Sequence, residues 1–243
     1  MNIAIIFAGG VGTRLGNVGV PKQFLMVDGV PIIVHTLRVF QNNDQIDKIY
    51  ISMVSTHIKQ MERLVNLYEL NKVCAIVPGG ETGQDSIYNA LKKAEEENPP
   101  DSIVLIHDGV RPILTDKVID NNIVGVKEYG SAITCIPCTE TIVVSPDGIT
   151  PVSIPARKEL YKAQAPQSFY LGDILEAHDI LRPSPERYTD IVDSCTIYFK
   201  LGRQLHFVQG NFGNLKVTTP NDVYVIEGLL KYRDAVQAFG VEE

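Results

Sequence analysis

A glycine-rich turn near the amino terminus carries residue types that bind phosphate. It follows a short apolar run at 3–7 and reads Ala-Gly-Gly-Val-Gly-Thr-Arg-Leu-Gly at 8–16. Glycines let backbone amides approach a ligand closely, and a row of such amides suits phosphate oxygens. Arg14 lies in this turn and Lys22 follows in Pro-Lys-Gln-Phe. A planar guanidinium and a mobile ammonium beside the same amides favour a triphosphate site, with an empty glycine turn and solvated surface cations as the alternative.

Two better-known glycine loops do not fit this turn. A Walker A loop ends in Gly-Lys-Ser or Gly-Lys-Thr, whereas this turn continues with Gly-Thr-Arg at 12–14. A dinucleotide-binding turn is paired with an acidic residue after the second strand. Here the strand predicted at 48–54 is followed by Ser-Thr-His. We therefore expect neither a P-loop nor a nicotinamide cofactor.

A carboxylate ends a later apolar run. Residues 102–107 predict a strand, and Asp108 follows it directly. Because ligands of open α/β sheets bind beyond the carboxyl ends of the strands, we expect Asp108 at the same edge as the glycine turn. There it can hold Mg²⁺ against phosphate oxygens. The alternatives are that Asp108 caps a turn or forms an ordinary ion pair with Arg111.

A second pair of glycines precedes a predicted helix. The run Val-Pro-Gly-Gly-Glu-Thr-Gly at 77–83 leads into a helix expected at 84–96, with Asp85 and Ser86 in its first turn. Backbone and hydroxyl groups at such a position can recognise a nucleotide base. The alternative is that Asp85 and Ser86 only cap the helix.

The elements that must position these groups alternate along the chain. Short runs rich in Ile and Val alternate with segments of helical period, which is typical of parallel strands covered by helices on both faces. The predicted strands are 3–7, 48–54, 73–77, 102–107, 132–136, 142–144, 196–200 and 206–209. The predicted helices are 32–41, 56–68, 84–96, 115–127, 173–181 and 220–239. We predict an α/β fold with a mostly parallel twisted sheet, in a single domain over 1–243.

The pattern changes at about 139–170. No long helical period is present there, and Pro-Asp-Gly at 146–148 and Pro151 interrupt strand-like pieces. We expect an extended β-arm inserted in the domain. Such an arm exposes strand edges that a second subunit can cover, which favours a homodimer.

Composition excludes several classes of protein. The chain has 243 residues, of which 44% are hydrophobic and 21% charged, as in an ordinary globular domain. The net charge of −7 and the lack of a long basic block argue against nucleic acid as a partner. We expect no membrane association and a cytoplasmic location, because no apolar run reaches the roughly 18 residues that span a bilayer and no basic leader precedes the first strand. Four cysteines are too few for a disulfide scaffold, and Cys-Ile-Pro-Cys at 135–138 lacks a second pair of metal ligands.

Five further motifs, taken with the glycine turn, form a combination that occurs in a known family of enzymes. They are Gly-Gly-Glu at 79–81 with Asp-Ser at 85–86, His-Asp-Gly-Val-Arg-Pro at 107–112, Thr-Glu-Thr-Ile-Val at 139–143, Pro-Gln-Ser-Phe at 166–169 and Asn-Leu-Lys-Val-Thr at 214–218. Together with the glycine turn and Pro-Lys-Gln-Phe, this set resembles the cytidylyltransferases that act on 2-C-methyl-D-erythritol 4-phosphate or ribitol 5-phosphate. The resemblance runs along almost the whole chain. It implies a Rossmann-like nucleotidyltransferase fold, CTP and a polyol phosphate as substrates, and Mg²⁺ as the ion.

The same resemblance implies a role for individual residues. Catalysis would depend on Arg14, Lys22 and Lys216, the last in a strand expected late in the chain. The acceptor would contact Arg111, Thr141 and Arg157, and because the last two fall in or near the arm, the acceptor site can include the partner subunit. The implied nucleotide contacts are Ala8, Gly9, Gly10, Gly12, Thr13, Gly80, Glu81, Ser86, Asp108 and Gly109, with Asp108 also the metal ligand.

Departures from the family pattern leave the acceptor open. Gly83 stands where the family usually has an arginine. Glu140 replaces a common aspartate, and Ala165 and Val192 each replace a common threonine. These changes fall mainly on the acceptor side. Three motifs, Ala-Gly-Gly, Pro-Lys-Gln-Phe and Asp-Gly-Val-Arg-Pro, resemble the ribitol phosphate group of the family more closely. This resemblance implies D-ribitol 5-phosphate as the acceptor and a role in making a cell-envelope polymer such as teichoic acid or capsule. The alternative acceptor is 2-C-methyl-D-erythritol 4-phosphate, for isoprenoid precursors.

Two other classes of protein fit these residues less well than a cytidylyltransferase. A glycosyltransferase would normally present Asp-x-Asp, and only Asp108 stands at the corresponding strand end. A non-catalytic nucleotide-binding module would keep the glycine turn but would have no need for Arg14, Lys22, Asp108 and Lys216 together.

Overall fold

A computed structural model describes residues 1–9, 20–184 and 187–239, with side chains up to residue 233. The strands are β1 (Asn2–Ala8), β2 (Met26–Val27), β3 (Val30–Pro31), β4 (Lys48–Met53), β5 (Val73–Pro78), β6 (Ile103–Asp108), β7 (Ser131–Pro137), β8 (Tyr161–Tyr170) and β9 (Phe207–Gln209). The α-helices are α1 (Ile32–Asn42), α2 (Ile58–Leu67), α3 (Gly83–Glu95), α4 (Asp116–Tyr129), α5 (Leu171–Leu181), α6 (Ser194–Lys200) and α7 (Pro220–Phe239).

The main sheet has the strand order β5-β4-β1-β6-β8-β7-β9 in the described part of the chain. Its strands run parallel except β8, which lies antiparallel between β6 and β7. The fold class predicted from the sequence, α/β with a mostly parallel sheet, is therefore confirmed. Strands β2 and β3 form a separate short hairpin.

Helices cover both faces of the sheet because its central strands are apolar on both sides. Along β1, Ile3 and Ile5 pack with α3, α5 and α6, while Ala4 and Ile6 pack with α1, α2 and α4. All four side chains are fully buried. Burying an isoleucine side chain contributes about 1.5–3 kcal/mol, so the two apolar layers fix the position of β1.

The strand predicted at 196–200 is wrong. Residues 196–200 form most of α6, although their β-branched and aromatic composition favours a strand. Asp193 caps the helix, and its Oδ1 accepts a hydrogen bond from the Thr196 amide at 3.1 Å. Ile197 and Tyr198 are buried against the apolar layer that contains α5. The cap and this packing outweigh the local strand preference.

The sequence also missed β8, which shortens the expected arm. Residues 161–170 were predicted as part of the excursion, and they form the longest strand of the main sheet instead. Buried polar side chains broke the alternating pattern. Gln167 accepts from the Cys195 amide at 2.8 Å, and Ser168 donates to Asn122 at 2.8 Å, so this central strand tolerates them.

The remaining excursion, residues 138–160, is called the arm below. The strand expected at 142–144 is reduced to one bridge between Val144 and Ser153. Within the described residues, no helix combines the length and the apolar composition that crossing a membrane requires.

Candidate active site

The carboxyl ends of β1 and β6 lie side by side. Phe7 pairs in register with Asp108, and the Gly109 amide donates to the Phe7 carbonyl at 3.0 Å. A Cβ on Gly109 would lie 3.2 Å from the Cβ of Ala8, so the two strand ends approach too closely for a larger residue to fit without a shift. The expectation that Ala8 and Asp108 share one edge of the sheet is therefore confirmed.

Only the start of the glycine turn is described. Four expected site residues of the turn, Gly10, Gly12, Thr13 and Arg14, lie outside the described ranges, and their roles stay predictions. A Cβ on Gly9 would lie 2.6 Å from Ser86 Oγ, so a side chain there would collide with the first turn of α3. Gly9, directly after β1, therefore lies against the first turn of α3.

Asp108 is the centre of a buried ion cluster. Lys216 Nζ lies 2.5 Å from its Oδ1, and Arg111 Nε lies 2.8 Å from its Oδ2. The residue is 6% exposed. Burial by itself would raise the pKa of Asp108, but the charges and hydrogen bonds of Lys216 and Arg111 outweigh it and hold the pKa well below its usual range. One carboxylate between two cations leaves excess positive charge, which suits an anionic ligand.

Lys22 reaches this cluster from the amino-terminal side. It begins a short 3₁₀ turn, Lys22–Phe24, and its Nζ donates to the carbonyl of Val217 at 3.4 Å. Val217 follows Lys216 directly. The buried amide of Gln23 donates to the Ala8 carbonyl at 3.0 Å and ties the turn to the end of β1. The structure therefore brings Lys22, Lys216 and Asp108 together.

Lys216 lies in an irregular segment between β9 and α7, so the strand expected around it is wrong. The Val217 amide donates to the Val110 carbonyl at 3.0 Å, which holds the segment against the loop after β6. Arg111 Nη1 donates to the Asn214 carbonyl at 2.8 Å. Arg111 thus pairs with Asp108 and ties it to the Lys216 segment, and a contact of Arg111 with the acceptor stays a prediction.

Asp222 fastens the other end of this segment. Its Oδ2 accepts from the amides of Thr218 and Thr219, each at 2.7 Å, and from the Thr218 hydroxyl at 2.9 Å. Burial would raise the pKa of Asp222, and these hydrogen bonds outweigh it and lower the pKa. The segment that carries Lys216 is thus anchored at both ends.

The second glycine loop is organised around Ser86. Its hydroxyl donates to the Thr82 carbonyl at 2.9 Å and accepts from the Gly80 amide at 3.0 Å. Thr82 is the N-cap of α3. Gly80 and Glu81 are exposed at the tip of the loop. Ser86 therefore shapes the loop, and its direct contact with a base stays a prediction.

The expected acceptor residues on the arm lie apart from the cluster. Thr141 and Arg157 are exposed, and Arg157 Nη1 donates to the Thr139 carbonyl within the arm at 3.3 Å. In the described chain, no hydrogen bond or ion pair joins either side chain to Asp108 or Lys216.

The donor set at Asp108 fits a magnesium ion held mainly by a substrate. Among the described residues, no three His, Cys, Asp or Glu side chains are grouped to hold a metal. Each oxygen of the ionised Asp108 has lone pairs beyond the one that faces its cation. Magnesium commonly takes one or two protein carboxylates and completes its shell with phosphate and water. Cys135 and Cys138 are free thiols, and burial raises the pKa of Cys135 to about 11, so this pair gives no sign of a reactive site.

The fold and this edge of the sheet define an α/β protein with a cationic site of the kind that binds phosphate. A sequence model of the family described as IspD: 2-C-methyl-D-erythritol 4-phosphate cytidylyltransferase matches residues 2–232. The chain belongs to this family of cytidylyltransferases, which are CTP-dependent nucleotidyltransferases.

Three relatives show how the similarity is distributed. The chain is 46% identical over 242 residues to a ribitol-5-phosphate cytidylyltransferase of Streptococcus agalactiae serotype Ia, covering 99% of this chain and 100% of the relative. It is 36% identical to a 2-C-methyl-D-erythritol 4-phosphate cytidylyltransferase of Alkaliphilus oremlandii, covering 94% of each. The solved 4-diphosphocytidyl-2C-methyl-D-erythritol synthase of Anaerococcus prevotii has the same fold, with a TM-score of 0.80, 24% identity, and coverage of 95% of this chain and 96% of that one.

Sequence reasoning missed several residues that build the site. Gln23 and Asn214 stood inside quoted motifs without a role, and Asp222 lies just beyond one of them. The amides of Gln23 and Asn214 donate to the distant carbonyls of Ala8 and Ala165, which motif spacing does not reveal. Asp222 binds the nearby Thr218 and Thr219, so its position in the first turn of a predicted helix was the one available signal. Arg182 and Arg187, which pair with Asp85, gave no signal at all.

Proposed function

We propose that this protein transfers CMP from CTP to D-ribitol 5-phosphate, giving CDP-ribitol and pyrophosphate. The observation that carries the proposal is the meeting of Lys22, Lys216 and Asp108 beside the start of the glycine turn. The choice of acceptor is supported by the named ribitol-5-phosphate relative at 46% identity, against 36% for the relative named for the other polyol.

Positioning and charge are sufficient for this reaction. The phosphate of ribitol 5-phosphate is already anionic near neutral pH, so it attacks the α-phosphorus of CTP without a general base. The bond between the α-phosphorus and its bridging oxygen breaks, and pyrophosphate leaves. Lys22 and Lys216 stabilise the negative charge that develops, in a site already organised by Arg111. Arg14 would add a further cation from the turn.

Asp108 is the protein ligand that we assign to Mg²⁺. Bound there, the ion would neutralise charge on the triphosphate of CTP. Lys216 pairs with the same carboxylate, so its ammonium would lie beside the ion and could contact the triphosphate.

The arm supports a homodimer whose subunits share the acceptor site. It exposes apolar side chains, with Ile149 at 86%, Ile154 at 64% and Val152 at 63% exposed. An apolar surface of this kind is typical of a protein interface. Thr141 and Arg157 on the same arm would then hold the acceptor phosphate in the partner's site.

An acceptor panel tests the proposed activity. Pyrophosphate release is measured with CTP constant and with ribitol 5-phosphate, 2-C-methyl-D-erythritol 4-phosphate or a pentose phosphate, with Mg²⁺ present and then chelated. We expect the highest kcat/KM with ribitol 5-phosphate, loss of activity on chelation, and CDP-ribitol in the mass spectrum. A higher kcat/KM with 2-C-methyl-D-erythritol 4-phosphate would contradict the choice of acceptor. The reaction would take place in the cytoplasm, where CTP is made, and would supply CDP-ribitol to a cell-envelope polymer such as teichoic acid or capsule.

A further inference from the structure

A second buried carboxylate, away from Asp108, is held by two arginines. Asp85 lies in the first turn of α3 and its side chain is 5% exposed. Arg182 Nη1 donates to its Oδ1 at 2.8 Å, and Arg187 Nη2 donates to the same oxygen. Its Oδ2 accepts from the Thr82 hydroxyl at 2.8 Å. Asp85, Arg182 and Arg187 are called the arginine clamp below.

The clamp contains more positive charge than Asp85 alone requires. Burial would raise the pKa of Asp85, and the hydrogen bonds from Thr82, Arg187 and Arg182 outweigh it and lower the pKa, so the carboxylate is ionised. One arginine would neutralise it. The second arginine therefore indicates a role in holding Asp85 in place, because two guanidinium groups restrict the position of a carboxylate more than one does.

The clamp joins α3 to the carboxyl end of α5. The guanidinium carbon of Arg182 lies 4.0 Å from the ring centroid of Tyr88, which is one turn beyond Asp85 on α3. The Tyr88 hydroxyl donates to Asp179 on α5 at 2.8 Å. The two helices are thus tied at two points, one of them through the carboxylate of Asp85.

A chain of hydrogen bonds leads from the clamp to the second glycine loop. The Asp85 amide donates to Thr82 Oγ1 at 3.0 Å, and Ser86 links the Thr82 carbonyl to the Gly80 amide. The loop also packs directly on Asp85, because a Cβ on Gly80 would lie 2.2 Å from the Asp85 Cβ. Its shape therefore depends on the end that Asp85 fixes.

We propose that Arg182 and Arg187 are positioning residues that act through Asp85 to set the affinity of loop 79–86 for CTP. The inference rests on the proposed function in one respect, since it requires this loop to contact the nucleotide. It makes the segment between α5 and α6 part of nucleotide selection, although that segment lies about a hundred residues beyond the loop in the sequence.

The test measures CTP affinity separately from turnover. Arg182→Ala, Arg187→Ala and the double variant are examined by calorimetry with CTP alone, and by kcat and both KM values in the pyrophosphate assay. We expect the double variant to raise the Kd and KM for CTP about tenfold or more, the size of a lost charge-assisted hydrogen bond, while the KM for ribitol 5-phosphate stays unchanged. Arg187→Lys should restore part of the affinity. In an Asp85→Asn background the arginine substitutions should add no further loss, because they act through that carboxylate.

The matched control is Arg203→Ala. Arg203 pairs with Glu176 on the same helix α5 at 2.8 Å, away from the loop, and its loss should change neither KM. CTP affinity equal to that of wild type in the folded variants would overturn the inference. So would a lower melting temperature without any change in Kd, which is the result of a purely structural role. If the double variant does not fold, the single variants decide, since each leaves one arginine on Asp85. A different result would separate the two proposals. If the clamp variants weaken CTP binding but the wild-type protein does not turn over ribitol 5-phosphate, the role of the clamp is supported and the proposed function is refuted.

Discussion

Removing the Lys216 ammonium separates the catalytic role of the cluster from its structural role. In Lys216→Ala, Asp108 loses the cation at 2.5 Å and keeps Arg111 at 2.8 Å. The buried carboxylate is therefore not left unpaired. The Lys216 side chain is itself 38% exposed, so solvent already screens the pair that is lost.

The two effects should differ greatly in size. Because the lysine of this pair is more than a third exposed and Asp108 keeps Arg111, loss of the pair lowers the free energy of unfolding by about 1 kcal/mol. In a domain of this length, that lowers the melting temperature by roughly 2–4 °C at most. Loss of one charged donor at a site that stabilises developing negative charge lowers turnover by about 10²–10³, or about 2.7–4 kcal/mol in the transition state.

The assay is pyrophosphate release from CTP and ribitol 5-phosphate, with thermal unfolding of the same preparations. Lys231→Ala is the matched control, because Lys231 also pairs with a carboxylate, Glu227 at 2.6 Å, but on the surface of α7. We expect the control to turn over like wild type. A Lys216→Ala rate close to wild type would refute the catalytic role. A fall in melting temperature several times larger than expected would show that Lys216 holds the fold, and the rate would then say nothing about catalysis.

Three further outcomes follow from the geometry. Asp222→Ala should lower kcat and cost about 1 kcal/mol of stability, because the hydrogen bonds that fasten Thr218 are lost. Asp222→Asn keeps an oxygen acceptor and should stay near wild type in kcat and melting temperature. Equal kcat values for the two variants would contradict this role of Asp222. Burial lowers the pKa of His107 from 6.5 to about 4, so the folded protein favours the neutral ring. The free energy of unfolding should therefore be highest above pH 6.5 and fall by roughly 3 kcal/mol as the pH is lowered to 4. The urea midpoint of His107→Gln should depend less steeply on pH than that of wild type, and an equally steep dependence would contradict this. If the arm acts in the partner's site, mixing inactive Arg157→Ala and Lys216→Ala subunits should restore about a quarter of the wild-type rate. The reason is that half of the mixed dimers contain both variants, and each of these has one intact site out of two. No recovery of activity would place Arg157 in the site of its own subunit.

The alternation of apolar runs and helical segments was enough to predict the fold class. The run Thr-Ile-Tyr-Phe in α6 looked like a strand because composition does not reveal the cap at Asp193 or the apolar layer that Ile197 enters. β8 was missed for the opposite reason. Its Gln and Ser side chains find partners such as Asn122 only after α4 is packed on the sheet.

The candidate site was predictable where its residues end strands. Asp108 and Ala8 could be placed together, because the carboxyl ends of parallel strands meet at one edge. The role of Arg111 could not, since its contact with the Asn214 carbonyl depends on the path of a segment a hundred residues later. The same holds for Arg182, whose partner Asp85 is 97 residues away in the sequence.

A crystal structure with CTP and Mg²⁺ tests most directly whether these groups form one nucleotide site. We expect Lys22 Nζ and Lys216 Nζ to lie within hydrogen-bond distance of triphosphate oxygens, with Mg²⁺ between Asp108 and the triphosphate and the cytosine against loop 79–86. CTP bound with its triphosphate away from both lysines, or with its base on another face of the sheet, would contradict the proposed site.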